Sequence, residues 1–230
     1  MLRGRNNLLA AFGPDFELLR PHLQTVRIGV GEVVCEPGAR IRFVYFPHRG
    51  AISKLTVLAD GSEIETALVG REGAIGVSVA LGLQRSNTLD VCHLEAHASR
   101  IQTERFLEAY RASRQIHQTV DGYCIRKMAF AIRGGACNAL HSVEQRLCRW
   151  LLICSDVLEQ REIGLSQEVF AKMIGVQRTS VNTVLQDLKL AGAISLGRSR
   201  LTILDRATLL KRSCECYAAM RFDFDIPAAA

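Results

Sequence analysis

Gly175 separates two amphipathic helical segments, and no other feature of the sequence constrains the fold as strongly. Residues 167–174 carry Val169 and Met173 on one helical face, and residues 177–190 form a longer segment of the same kind. The apolar stripe predicted for the longer segment consists of Val181, Val184, Leu185 and Leu188. Glycine suits a sharp turn between helices because it tolerates positive φ. The sequence therefore predicts a helix-turn-helix.

The second helix of this motif begins with hydrogen-bonding side chains, as expected of a helix that reads bases in the major groove. Arg178 can donate two hydrogen bonds to a guanine, and Asn182 or Gln177 can pair with an adenine. The predicted base contacts are Gln177, Arg178, Thr179 and Asn182. Other polar or basic side chains nearby suit phosphates, which position a protein without specifying sequence. The predicted backbone contacts are Ser166, Lys172, Ser180, Thr183, Lys189, Arg198 and Arg200.

A short β-hairpin with a basic tip is predicted directly after the motif. Residues 193–196 and 201–204 are rich in branched side chains, and they flank Gly197-Arg198-Ser199-Arg200. Such a hairpin is typical of the wing of a winged helix-turn-helix. The alternative is an ordinary helical hairpin followed by a β-hairpin, with a cationic surface that has no DNA partner.

Positive charge is concentrated in this part of the chain. The net charge of the 230 residues is +6. Between Arg161 and Arg212 there are nine Lys or Arg against four Asp or Glu, a surplus of five, so the rest of the chain holds a surplus of one. A basic segment on an otherwise balanced chain favours a nucleic-acid partner.

Residues 24–102 are predicted to form short antiparallel strands. Half of the 18 glycines lie between Gly29 and Gly82, and they separate runs of branched and aromatic residues. The predicted strands include residues 33–35, 43–46, 51–55 and 64–68. Asp60-Gly61 between the last two indicates a hairpin turn. This spacing favours a sandwich or barrel, preceded by a short helical segment at residues 7–19.

The middle of the chain is predicted to be helical. Thr103 begins a short helix, and residues 113–138 form a long one. The apolar stripe of the long helix consists of Ile116, Val120, Tyr123, Cys124, Met128, Ala131 and Ile132. A helix of about 25 residues is long for a small domain, so it either packs against a copy of itself or covers the β region. Gly134-Gly135 predicts a bend near its end.

A further helix, at residues 142–158, is predicted to link the long helix to the helix-turn-helix. Its core stripe consists of Val143, Leu147, Trp150, Leu151 and Cys154. Residues 163–165 follow as a short extended segment.

The composition is that of a globular protein with room for two domains. Apolar residues make up 48% of the chain and charged residues 23%. No stretch reaches the roughly 18 apolar residues that a membrane span needs, and the N-terminus lacks the pattern of an export signal. We therefore expect a cytoplasmic location and no membrane partner.

The eight cysteines are predicted to be reduced thiols, because they are scattered through apolar stretches of a chain with no export signal. Cys214 and Cys216 are the only close pair. One intervening residue is too few for the usual half of a structural zinc site. The sequence therefore predicts no metal site and assigns this pair no role.

The order of these parts resembles the Crp/Fnr superfamily of bacterial transcriptional regulators, over about residues 24–204. The most specific stretches are residues 165–188 and Ala191-Gly192-Ala193-Ile194. The resemblance implies an α+β fold with an antiparallel β-roll or jelly roll, a long dimerisation helix and a winged helix-turn-helix. It also implies a homodimer on double-stranded DNA with a palindromic operator, and contact with RNA polymerase if the protein is an activator.

Domain boundaries follow from the same resemblance. We expect a cyclic-nucleotide-binding-like effector domain at residues 1–102 and the dimerisation helices at residues 103–140. We expect the Crp-type DNA-binding domain at residues 141–212 and a C-terminal tail at residues 213–230.

The family pattern places Arg178 on a guanine. The cyclic-AMP receptor protein follows this Arg with Glu and has a second Arg four residues after the Glu, whereas Thr179 and Thr183 occupy those positions here. The half-site is therefore expected to differ.

The sequence of the predicted effector pocket also departs from the family pattern. Cyclic-nucleotide binders carry Gly-Glu-x-Gly and then Arg-Ser, which match Gly73-Ala74-Ile75-Gly76 and Arg85-Ser86. The methyl group of Ala74 cannot replace a Glu that bonds the ribose, and losing such a buried partner costs about 1–3 kcal/mol. The predicted effector pocket is Gly73, Ala74, Gly76, Arg85 and Ser86, with cyclic AMP disfavoured and the effector unidentified.

Other cofactors and functions have weaker support. An iron–sulfur cluster needs closely spaced N-terminal cysteines, whereas Cys35 and Cys92 are far apart. The histidines available as haem ligands are His48, His93, His97 and His117, and a structural role is favoured for each.

The alternatives from other classes are a cupin-like metal-dependent enzyme and an effector-binding module that no longer binds DNA. Within the β region, cupin chemistry has His48, His93 and His97 available, without the usual H-x-H pair. The chain shows no Ser-His-Asp signature, phosphate loop or paired-carboxylate motif. The sequence thus predicts a regulator rather than an enzyme.

Overall fold

The computed structural model describes residues 5–165, 167–197 and 200–221, with backbone alone at residues 167 and 168. Ser166 and Arg198, two of the predicted DNA-backbone contacts, lie outside these residues. Within the described part of the chain, every helix is too short or too polar to cross a bilayer. The α+β class predicted from the sequence is confirmed, with a β domain followed by a helical domain.

The β domain is one antiparallel sheet with the strand order β1–β5–β3–β4, and β2 also pairs with β5. Its strands are β1 Gln24–Ile28, β2 Val33–Cys35, β3 Phe43–Val57, β4 Glu63–Val69 and β5 Leu89–Gln102. The runs predicted at 43–46 and 51–55 are a single strand, because register shifts between Pro47 and Ser53 let the chain continue through Gly50. Gly50 has φ +71°, and a Cβ there would meet the backbone oxygen of Glu95, so only glycine fits.

Short helical segments close one side of the sheet. Helix α1 spans Asn7–Ala11, and 3₁₀ turns follow at Gly13–Leu18, Arg20–His22 and Val77–Leu81. Asn6 caps α1, and its side-chain amide donates to the backbone oxygens of Pro47 and Gly73, each at 2.8 Å. The predicted N-terminal helical segment thus joins the aromatic core around Phe46.

Two helices lead out of the sheet: α2 Thr103–Ala112 and α3 Arg114–Leu140. Helix α3 runs through Gly134-Gly135 without interruption, so the glycines do not break it. Its predicted apolar stripe divides into two parts. Ile116, Val120 and Tyr123 are buried against the β domain, whereas Met128 and Ile132 are 60% and 68% exposed. The N-terminal half of α3 therefore covers the β domain, and its C-terminal half presents apolar side chains to solvent.

The C-terminal domain has the predicted order of elements from α4 to β8. These are α4 Val143–Leu158, β6 Glu162–Ile163, α5 Gln167–Ile174, α6 Arg178–Leu190, β7 Ile194–Gly197 and β8 Arg200–Ile203. Two helices that were not predicted follow, α7 Arg206–Arg212 and α8 Cys216–Arg221. Ser142 caps α4 in a reciprocal capping box with Gln145. The three strands form a small sheet in the order β6–β8–β7. The segment expected to be a tail after residue 212 contains α8, which is packed on α3 and α4.

The turn between α5 and α6 is closed by Gly175, as predicted. Its φ is +62°, its N–H donates to Lys172 O, and the next N–H, of Val176, donates to Ala171 O. These two bonds are a Schellman motif, which satisfies carbonyl groups at the end of α5. A Cβ on Gly175 would lie 2.6 Å from Cδ1 of Ile64 on β4, so the turn also packs against the β domain.

Substitution of Gly175 tests this contact. Gly175→Ala is expected to lower the free energy of unfolding by about 1–2 kcal/mol for the left-handed backbone, and by roughly 1 kcal/mol more for displacing Ile64 from its rotamer. Gly192→Ala is the matched control, because Gly192 has φ +70° and open space around its Cβ position. Urea denaturation of both variants measures the difference. An equal loss at the two positions, or a Gly175→Ala loss that Ile64→Ala does not relieve, contradicts the close packing.

Candidate nucleic-acid interface

The first turn of α6 presents polar side chains to solvent. Gln177 is the N-cap residue and makes no side-chain capping bond, so its amide is available to a ligand. Arg178, Thr179 and Asn182 are exposed, and Arg178 makes no hydrogen bond or ion pair with the described part of the protein. Arg178 and Asn182 are four residues apart and share a helix face. The structure thus brings together the four residues predicted to contact bases.

The opposite face of α6 fixes the direction of this polar turn. Val181, Leu185 and Leu188 are fully buried in the core of the C-terminal domain, and Val184 packs at its edge. Because these positions form one stripe, the remaining residues of the helix must face outward. The predicted stripe of this helix is therefore confirmed.

The predicted backbone contacts lie in different surroundings. Lys172 Nζ is 3.3 Å from Glu63 Oε2, and Arg200 Nη1 is 3.5 Å from Glu162 Oε2. Both cations are about half exposed or more, and pairs of this kind contribute only about 0–1 kcal/mol. These ion pairs are therefore small obstacles to phosphate contact.

The remaining backbone candidates lie along α6 itself. Thr183 Oγ1 donates to Thr179 O at 3.2 Å, and Ser180 is half-buried in the first turn. Lys189 is exposed in the last turn, about 16 Å along the helix axis from Arg178. A phosphate bound at Lys189 would therefore be far from any base at Arg178.

The wing is present as an antiparallel pair. Strands β7 and β8 pair from Ile194↔Ile203 to Gly197↔Arg200, and β6 adds to the outer edge of β8. Arg200 stands at the base of the tip and is exposed. The hairpin predicted from the sequence is confirmed over the described residues.

A set of contacts between the two domains, which we call the clasp, holds the helix-turn-helix against β4. Trp150 Nε1 on α4 donates to Glu65 Oε1 on β4 at 2.7 Å, and Phe170 on α5 packs edge-on against Trp150 at 5.4 Å. Arg71 Nη1 donates to both carboxylate oxygens of Glu159, at 2.8 and 2.9 Å. Sequence reasoning missed the Trp150–Glu65 and Arg71–Glu159 contacts because partners more than 80 residues apart leave no periodic pattern.

Glu65 is the electrostatically unusual member of the clasp. Burial raises the pKa of its carboxyl group to about 7, and the hydrogen bond from Trp150 and the charge of Arg149 oppose that rise only in part. The residue as a whole is half-buried, but its Oε2 atom is inaccessible and has no hydrogen-bond partner among the described residues. The folded protein therefore holds this proton more tightly than the unfolded chain does, where the pKa is 4.5.

Stability should accordingly fall as the pH rises from about 5 to about 8. The contribution of Glu65 is fully present below its unfolded pKa and is lost as the pH passes through its folded pKa, a change on the order of 3 kcal/mol. Glu65→Gln, which stays neutral and can still accept from Trp150, is expected to remove this decline. Urea denaturation across the pH range measures it. Glu63→Gln removes a carboxylate from the same strand and should leave the decline intact; if Glu65→Gln also leaves it intact, Glu65 is not its source.

The β domain contains an open cleft of about 650 Å³, lined by residues of β2, β3 and the loops around them. Of the predicted effector residues, Gly76 and Arg85 line it, and Arg85 Nη1 donates to Gly38 O at 2.7 Å. Ser86 is buried, and its hydroxyl donates to Thr88 O at 2.8 Å. Arg40 and Arg42 add positive charge to the cleft, and Glu36 and Asp90 add two carboxylates. The three arginines therefore leave the lining of the cleft with a small surplus of positive charge.

Gly73 and Ala74 lie behind this cleft, against α3. Tyr123 Oη is 3.1 Å from both Ala74 N and Ala74 O, so one hydroxyl bonds both backbone groups. A Cβ on Gly73 would come within 2.3 Å of the same hydroxyl. The segment that resembles a ribose-binding motif thus connects the β domain to the long helix.

The histidines considered for a cupin-like or haem site are dispersed. Burial lowers the pKa of His48 and His93, and His97 Nε2 lies 3.6 Å from Glu95. His117 is on α3 and pairs with Asp121 at 3.1 Å. Among residues 5–165, 167–197 and 200–221, these histidines are not gathered into a cluster that could hold a metal ion.

Comparison with known proteins identifies the C-terminal domain. Residues 145–212 match the family model of the Crp-like helix-turn-helix domain. No curated protein sequence matches the chain significantly. The chain therefore carries a Crp-like helix-turn-helix domain, at the position predicted from the sequence.

Solved structures match nearly the whole fold. FixK2 from Bradyrhizobium japonicum has a TM-score of 0.73 at 13% identity, covering 84% of this chain and 98% of that chain. A CRP-family transcriptional regulator from Thermus thermophilus has a TM-score of 0.70 at 22% identity, covering 82% of this chain and 96% of that chain. CLP from Xanthomonas campestris is described as a c-di-GMP-responsive global regulator. It has a TM-score of 0.69 at 17% identity, covering 82% of this chain and 97% of that chain. The predicted resemblance to Crp/Fnr regulators is confirmed at the level of the fold.

Proposed function

We propose that this chain, which combines a Crp-like helix-turn-helix domain with the fold of Crp/Fnr regulators, is a sequence-specific transcriptional regulator that binds a palindromic operator as a homodimer. The observation that carries the proposal is the exposed polar first turn of α6, with Arg178 unpaired among the described residues at its start. Helix N-termini in this position enter the major groove. RNA polymerase is a further partner if the regulator activates transcription.

The proposed dimer forms along the C-terminal half of α3. Ile125, Met128 and Ile132 are 62%, 60% and 68% exposed, and they follow one another at steps of three and four residues. That spacing is the seam of a two-stranded coiled coil. Helix pairing would bury these side chains and set two copies of α6 about one turn of DNA apart, as palindromic half-sites require.

The proposed effector is an anion other than cyclic AMP, bound in the cleft beside Arg85. The methyl group of Ala74 offers a ribose hydroxyl no acceptor, and the backbone groups of Ala74 already bond Tyr123. CLP shows by its description that a protein with this fold can respond to another nucleotide. The basic cleft leaves the identity of the anion open.

Replacing Arg178 tests direct reading of sequence. Arg178→Ala is expected to relax the preference at one base pair of each half-site, costing about 1–3 kcal/mol there, because a bidentate contact to guanine is lost. Selection from a random duplex library, with parent and variant side by side, measures the preference at every position.

Lys189→Ala is the matched control, since Lys189 is a predicted phosphate contact on the same helix. It should weaken binding to all sequences alike and lower the slope of log affinity against log salt by about 1. If Arg178→Ala behaves in the same way, Arg178 is a phosphate contact instead. If the parent protein enriches no sequence at all, the proposed function is wrong.

Replacing Ile132 tests the proposed dimer. Ile132→Glu should shift the protein from dimer to monomer in sedimentation experiments, because the seam would then bury a carboxylate that has no partner. Val30→Glu is the control, since Val30 is 71% exposed in the β domain and away from α3. A parent protein that sediments as a monomer at every concentration, or an Ile132→Glu variant that remains dimeric, contradicts the proposed seam.

A further inference from the structure

Four metal-binding side chains meet where α3 ends and the C-terminal segment returns. The ligand atoms of Cys137, His141, Cys214 and Cys216 all lie within 4.8 Å of one another. Cys137 Sγ is 3.5 Å from Cys214 Sγ, and Cys216 Sγ is 3.8 Å from His141 Nδ1. The three sulfurs belong to buried residues, and the His141 side chain is only 19% exposed.

Two of these separations, 3.5 Å and 3.8 Å, match the edges of a coordination tetrahedron around one ion, and the others are at most 4.8 Å. With Zn–S bonds of about 2.3 Å and Zn–N bonds of about 2.0–2.1 Å, donors in such a site are roughly 3.5–3.8 Å apart. Three thiolates and one imidazole also make the soft donor set that zinc prefers over magnesium or calcium. A cluster of this size therefore fits one zinc ion with four protein ligands.

The second nitrogen of His141 supplies an independent observation. His141 Nε2 lies 3.3 Å from Glu215 Oε1, while Nδ1 faces Cys216. Metal-binding histidines almost always donate their other N–H to a carboxylate or carbonyl group, which fixes the tautomer and the ring orientation. Glu215 lies between two of the cysteines in sequence, so one tripeptide provides two ligands and the residue that orients a third.

The charge around the cluster is consistent with an anionic complex. Three thiolates around Zn²⁺ carry a net negative charge, which would be costly to bury without a nearby cation. Arg149 on α4 is only 6% exposed, its Nε has no hydrogen-bond partner in the described part of the chain, and its charge acts on the Cys137 sulfur. A buried arginine in this position stabilises an anionic site.

We propose that Cys137, His141, Cys214 and Cys216 bind one zinc ion in a closed structural site. This site departs from the sequence-based prediction of no metal. Cys137 and Cys214 are 77 residues apart in sequence, and the spacing of Cys214 and Cys216 is by itself unusual for zinc. The ion ties the end of α3 to Cys214, which lies between α7 and α8, and to Cys216 at the start of α8. It therefore fixes the angle at which the helix-turn-helix domain leaves the long helix, whether or not that domain binds DNA.

Metal analysis of the purified full-length chain tests the site. We expect about one zinc per protomer, lost in Cys214→Ser and in Cys216→Ser, and retained in Cys35→Ser, whose thiol lies in the β domain. Replacing the zinc with cobalt should give the strong visible absorption of a tetrahedral thiolate site. Thiols that only pack in the core, without a metal ion, would not produce this absorption. Circular dichroism checks that each variant is folded.

Substitutions at His141 and Glu215 separate coordination from packing. His141→Cys keeps four ligands and should keep the zinc, whereas His141→Ala should lose it. Glu215→Gln should keep the zinc but weaken binding by about 10–100-fold in a chelator competition. The proposal is overturned if the parent takes up neither zinc nor cobalt, if its metal survives Cys216→Ser, or if Cys137 and Cys214 are found as a disulfide that excludes the ion.

Discussion

The arrangement of this protein depends on the clasp between β4 and the helix-turn-helix domain. Trp150 reaches across it to Glu65, Phe170 packs on Trp150, and Gly175 allows the turn to approach Ile64. These contacts border a core that the two domains share, in which Leu55 and Leu68 of the sheet pack with residues of α4. Together, the clasp and this core set the direction of α6 relative to the β domain. The hydrogen bond from Trp150 to the buried carboxyl group of Glu65 makes the junction specific. The cost of desolvating that carboxyl group keeps the hydrogen bond from being strongly stabilising at neutral pH.

A second connection runs from the proposed effector cleft to α3. The loop that ends one wall of the cleft is held by Tyr123, which bonds Ala74, and by Lys127, which lies 3.2 Å from the buried Glu72. A ligand that displaced Gly76 would therefore act on α3 through neighbouring residues, and a shift of β4 would act on α5 through the clasp. The first route ends at α3 and the second at α5 of the helix-turn-helix, so short contact paths join the β domain to both of these helices.

Local chemistry explains why the C-terminal domain could be predicted so closely from sequence. Helix periods and a glycine with positive φ act within a few residues, and α5 begins and ends where the pattern predicted. Strand β3 was predicted as two runs because the bulges that join them depend on β5. The apolar stripe of α3 divides for the same reason: periodicity shows which side chains share a face, but not which of them the β domain reaches.

Helix α3 carries residues of three features: the contact with the loop behind the cleft, the exposed apolar side chains and the proposed zinc site. Tyr123 joins its first half to Ala74 behind the proposed effector cleft, Met128 and Ile132 are exposed on its second half, and Cys137 and His141 lie at its end. A continuous helix transmits rotation rigidly, and Gly134-Gly135 does not interrupt it. A metal clamp at its end would then turn any rotation of α3 into movement of the domain that carries α6. In the proposed regulator, the response would be set by how the two ends of α3 are fastened, and the fastening residues are far apart in sequence.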